Sequence, residues 1–135
     1  MGRWQEIEHT ADIALHLWAE DLEDLFATAA RGMFALITDL DAVPCQQYTE
    51  HVVLDAIDAE VLLVDWLNEL LYLSEETGGA FVEFQFEVLN DTHLDATARG
   101  GPFSEYLTYI KATTFHNLDI QQTSEGYETD VVFDI

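Results

Sequence analysis

The chain has 135 residues, the size of one ordinary domain, and 49% hydrophobic content with three Trp, five Tyr and eight Phe gives it enough apolar mass for a real core; that excludes intrinsic disorder. Four Lys and Arg against 27 Asp and Glu leave a formal charge of −23, which argues against direct binding of nucleic acid or anionic lipid, since both need neutralising cations. One cysteine, Cys45, excludes an intrachain disulfide and a thiolate zinc site.

In chain order, an opening strand leads into His9-Thr10-Ala11-Asp12, a short bend before an alternating segment in which Ile13, Leu15, Leu17 and Ala19 share one face. Helical periodicity follows, with Leu22, Leu25, Phe26, Ala29, Met33, Phe34 and Ile37 on one stripe and Asp21 placed to cap its start. Val52, Leu54 and Ala56 alternate as a strand. A second helical stripe then runs through Ala59, Leu62, Leu63, Trp66, Leu67, Leu70 and Leu71, with Asp58 as its cap and Gly78-Gly79 as its stop. Val82, Phe84, Phe86 and Val88 alternate next, and Asn90-Asp91 reads as a hairpin turn into Leu94, Ala96 and Ala98. After a break at Gly100-Gly101-Pro102 the pattern predicts a strand near Tyr109–Ile120 and a last one near Tyr127–Ile135. This order predicts an α+β fold, a single domain over residues 1–135 with a largely antiparallel sheet packed with two amphipathic helices on one side.

No phosphate-binding loop, dinucleotide fingerprint, His-Glu-x-x-His or G-x-S-x-G motif is present. The chemistry-bearing residues are instead the bend at His9–Asp12, the stretch Lys111–His116 and the closing Asp130–Ile135. The bend alone reads first as a turn whose side chains satisfy nearby backbone N–H groups. At the end, Asp130, Val132 and Asp134 share one strand face. A carboxylate beside the α-carboxylate of Ile135 is a repulsive pair unless solvated or bridged by a cation. Lys111 is the only lysine of the chain; it is either a surface residue with its stem on the sheet or the partner of a carboxylate or of another protein. The acidity itself has a simple explanation in a salt-rich cytosol, where an acidic surface stays soluble and its self-repulsion is screened.

Five segments in register carry a family resemblance: His9-Thr10-Ala11-Asp12-Ile13; the Leu22–Phe34 helix; Leu62-Leu63-Val64-Asp65-Trp66-Leu67-Asn68-Glu69-Leu70-Leu71-Tyr72; Lys111-Ala112-Thr113-Thr114-Phe115-His116; and Val131–Ile135. They span the whole chain, which resembles the archeases. It departs from the family pattern before the Lys-Ala strand, where Gly100–Tyr106 stands in place of the usual Gly-Glu and no histidine lies between His93 and His116. The resemblance implies a cytoplasmic, non-enzymatic accessory protein. Its partner would be the RtcB-type RNA ligase of tRNA splicing and RNA repair, which joins 3′-phosphate to 5′-hydroxyl ends. The accessory protein promotes the ligase's guanylylation and turnover. The resemblance also implies a divalent-metal site at Asp12, Asp134 and the Ile135 carboxylate, with His9 and His116 nearby and Lys111 facing the partner. Three hard oxygen donors suit Ca²⁺, Mg²⁺ or Mn²⁺. The alternatives are a small metal-dependent phosphoester hydrolase using the same carboxylates, and a general chaperone of RNA-processing enzymes.

Overall fold

The computed structural model describes residues 2–8 and 12–135, with Glu8 described by its backbone alone. Strands β1 (Arg3–Glu8) and β2 (Asp12–Ala19) precede helix α1 (Leu22–Ile37) and a single 3₁₀ turn at Leu40–Ala42. Strand β3 (Tyr48–Asp55), helix α2 (Ala59–Thr77), β4 (Gly79–Leu89) and β5 (His93–Pro102) follow. Three more strands, β6 (Ala112–Thr114), β7 (Gln121–Thr123) and β8 (Gly126–Asp134), complete the described elements.

The fold is α+β as expected, but the antiparallel strands divide into two sheets instead of one. One sheet runs β1-β2-β8-β6, with β7 also pairing β8. The other is the three-stranded β3-β5-β4. Both helices touch strands of both sheets, so α1 is buried around most of its circumference, from Leu25 to Ile37. That environment explains why Ala29, Ala30 and Gly32 suit its middle: small residues admit close neighbours, and a Cβ on Gly32 would come within 2.8 Å of Leu15.

The helix ends are set by local chemistry. The Asp21 carboxylate accepts from the Asp24 N–H, and the Asp58 carboxylate from the Val61 N–H, each satisfying an orphan donor of a first turn. Gly78 ends α2 in the left-handed region at φ 73°, a conformation open to glycine at little cost. The core joins the two sheets through the helices. Leu15, Leu17, Val131 and Phe133 come from one sheet, and Val52, Leu94, Ala96 and Phe81 from the other. Trp66 is fully buried beside Phe84 and Phe86 and donates its indole N–H to the Phe26 carbonyl at 3.1 Å.

Three local expectations are revised. The glycine pair at 100–101 does not break the chain, because β5 continues through it to Pro102. A Cβ on Gly100 would lie 1.8 Å from the Ala80 carbonyl oxygen, so the glycine marks a close approach of β4 rather than a turn. The strand expected over 109–120 shrinks to Ala112–Thr114, ended by a turn in which Asn117 adopts φ 55°. Val88 leaves the apolar face of β4 because the register shifts between Phe86 and Val88, a bulge that alternation alone does not reveal.

Candidate functional site

The end of the β1-β2-β8-β6 sheet gathers the segments singled out in the sequence. Asp12 opens β2 and Asp134 closes β8, and the antiparallel register sets them directly opposite each other. Directly opposed residues of such a pair have their Cβ atoms only about 4.5–5.5 Å apart. On its other side Asp134 faces Ala112 of β6, and its carbonyl accepts the Lys111 N–H at 2.8 Å. Three segments far apart in sequence therefore meet at one corner: Asp12, Lys111-Ala112 and Asp134-Ile135.

The two carboxylates have unequal surroundings. Asp134 is exposed and Asp12 half-buried, and Asp12 Oδ1 is fully buried without a hydrogen-bond partner among the described residues. A buried carboxylate oxygen left unpaired is costly, and a second carboxylate opposite it adds repulsion. A hard cation removes both penalties at once. Asp12, Asp134 and the Ile135 carboxylate are the groups here that could hold one, and their all-oxygen chemistry fits such an ion. Among the described residues no three His, Cys, Asp or Glu side chains converge as a metal-binding group.

Of the remaining expected residues, His9 lies outside those described. His116 is exposed beyond the end of β6, where its Nε2 accepts from the Asn117 side-chain amide at 3.2 Å. Lys111 is exposed, its backbone anchored on Asp134. Phe115 is 54% exposed, whereas Thr113, two residues before it, is buried.

Two supports of this corner escaped the sequence reading. Asn68 of α2 accepts the Thr113 N–H at 2.7 Å and donates to the Thr113 carbonyl at 3.2 Å, acting as the missing neighbour strand along the free edge of β6. The hint was the polar pair Asn68-Glu69 set between Leu67 and Leu70-Leu71. Further along the face that carries Asp12, His16 bonds through Nδ1 to Asp130 and through Nε2 to Glu128, the latter at 2.9 Å. Burial lowers the pKa of His16, but the hydrogen bonds and charges of Asp130 and Glu128 outweigh it and hold the imidazole above its usual value. Carboxylates at alternate positions of the last strand were visible in the sequence, but not the register that brings two of them to His16.

The Archease protein family (MTH1598/TM1083) matches residues 4–135. The chain belongs to the archease family. Archeases of Methanopyrus kandleri and Methanosarcina mazei are 36% and 37% identical to it, each aligned over 98% of this chain and over 99% and 96% of their own. The solution structure of protein 1598 from Methanobacterium thermoautotrophicum superposes with a TM-score of 0.77 at 28% identity, covering 98% of both chains. The crystal structure of an archease, possible chaperone, from Thermotoga maritima shares the fold, with a TM-score of 0.69 at 24% identity and coverage of 97% and 96%. The five motifs run the length of the chain, and three of them meet at the Asp12–Asp134 corner. Among the described residues no helix is long and apolar enough to cross a membrane.

Proposed function

We propose that this archease-family chain is a non-enzymatic activator of an RtcB-type RNA ligase in tRNA splicing and RNA repair, working from the Asp12–Asp134 corner with a bound divalent cation. The observation that carries the reading is the buried Asp12 Oδ1, without a hydrogen-bond partner among the described residues and set opposite Asp134. Asp12, Asp134 and the Ile135 carboxylate hold the cation, Ca²⁺, Mg²⁺ or Mn²⁺, and Lys111 stands at its margin toward the ligase; His9 and His116 are the accompanying side chains that the family resemblance implies. The cation, when bound, offers Lewis-acid stabilisation of phosphate charge to the partner's guanylylation step. The protein's own residues fix its position: Asn68 clamps β6, and β6 with β2 clamps the strand that carries Asp134. The ligase holds the RNA, in keeping with the charge of −23.

The test is ligation of a 3′-phosphate/5′-hydroxyl RNA by a cognate ligase under substrate excess. Wild type is expected to convert a single round into many. Asp12→Asn and Asp134→Asn, which keep shape and remove charge, are expected to lose stimulation and to lose Mn²⁺ binding by calorimetry, with circular dichroism unchanged. Lys111→Ala is expected to lose stimulation but keep the metal. Undiminished stimulation by both Asp variants sinks the metal part. Phosphoester turnover by the protein alone replaces the activator with a hydrolase. The chaperone reading is favoured by the exposed Tyr106, Leu107 and Tyr109, and it predicts client binding that none of these variants alters.

A further inference from the structure

Away from that corner, an apolar groove lies where the 103–107 loop crosses the C-terminal end of α1. Leu107 stands between two open clefts of about 480 and 600 Å³, both bordered by Thr38 and Asp39. Phe103 lines one cleft; Trp4 and Leu40 line the other. Leu107 is 67% exposed, yet its N–H donates to the Ile37 carbonyl at 2.7 Å and Thr38 Oγ1 donates to the Glu105 carbonyl at 2.9 Å. A leucine held outward by a pinned backbone is a built feature of the surface rather than the tip of a loose loop.

The charge around the groove has one sign. Asp39, Asp41 and Glu105 border it, and among the described residues no basic one does. The last turn of α1 also lacks a basic residue, so no side-chain cation offsets the partial negative charge of the helix end. A nucleic acid or anionic membrane is repelled, and so is a second copy of a chain that carries −23. We propose that this groove docks a segment of a protein partner in which Arg or Lys alternates with apolar side chains. The apolar residues fill the clefts on either side of Leu107, and the cations meet Asp39, Asp41 and Glu105. The charge supplies steering, and Leu107 with Trp4 supplies the desolvated contact. This docking goes beyond the activator reading and stands whether or not a cation sits at Asp12–Asp134.

The test uses ¹⁵N-labelled protein titrated, at about 0.15 M salt where long-range attraction is screened, with a short peptide of repeated Arg-Leu. Repeated Arg-Gly and repeated Glu-Leu peptides serve as controls. The Arg-Leu peptide is expected to move the amide resonances of Thr38, Leu40 and Leu107 and to bind more tightly than Arg-Gly. Leu107→Ser and the Asp39→Asn/Glu105→Gln pair should each weaken it by about fivefold or more, while Tyr72→Ser leaves it unchanged. Equal binding of Arg-Gly, shifts spread over the whole acidic surface, or indifference to Leu107→Ser overturns the proposal. So do shifts of the same amides with protein concentration alone, which would assign the groove to self-association.

Discussion

His16 illustrates how a chain with four Lys and Arg builds its ion pairs. His16 sits between Asp130 and Glu128, while His51 and His93 hydrogen-bond to Asp95 at 2.6 Å and to Asp55 at 2.7 Å, so histidines partner carboxylates where Lys and Arg are scarce. Since the folded pKa of His16 lies above the unfolded value of 6.5, its contribution is present in full below that value and lost as pH rises through the folded pKa. Denaturant unfolding should therefore show wild type most favoured over His16→Gln between about pH 5 and 6, with the gap shrinking at alkaline pH. A gap that grows with pH would refute the assignment. Glycines give a second contrast at this scale. Gly78 has open space around the position of a Cβ, so Gly78→Ala should lose only the cost of its φ of 73°, about 1 kcal/mol. A Cβ on Gly100 meets the Ala80 carbonyl at 1.8 Å, and Gly100→Ala should cost about 2 kcal/mol or more by forcing β4 and β5 apart.

At the scale of elements, β6 is the weak member of its sheet. It is three residues long and borders β8 on one side only; its other edge is closed by the paired hydrogen bonds of Asn68. Removing that side chain leaves the buried Thr113 backbone unpaired. Asn68→Ala is expected to cost about 1–3 kcal/mol and to speed amide exchange at Thr113, with little change in β3–β5. Uniform loss of protection over both sheets would mean that Asn68 supports the whole fold rather than this edge. Because β6 delivers Lys111 to Asp134, the same variant should also reduce ligase stimulation without touching a proposed metal ligand.

The whole molecule is dominated by its charge of −23. Self-repulsion opposes compaction, and screening relieves it. Thermal unfolding followed from dilute buffer to molar KCl should therefore show a rising midpoint; a flat response would count against a salt-adapted surface. A low concentration of divalent cation should add to this only in the chain with Asp12 and Asp134 intact, since general screening does not depend on two residues. The fold tolerates such a surface because its core, from Leu15 and Phe133 across both helices to Phe81 and Leu94, buries large side chains completely, each contributing about 1.5–3 kcal/mol.

What the sequence determined by itself is whatever depends on neighbours along the chain. The stripes of both helices, their Asp21 and Asp58 caps, the Gly78 stop, the alternation of β2 and the family motifs are all local patterns, and they were legible. The residues expected at the candidate site came with the family resemblance, whose motifs are contiguous. The tertiary structure alone decided what depends on pairing across distance. Alternation has the same period in one sheet or two, so the split into two sheets was invisible, as were the bulge that turns out Val88 and the continuation of β5 through its glycines. It was register, not composition, that set Asp12 against Asp134 and brought His16 to Asp130, and helix packing that laid Asn68 along β6. Register follows from the packing of the whole domain, and no single segment encodes it.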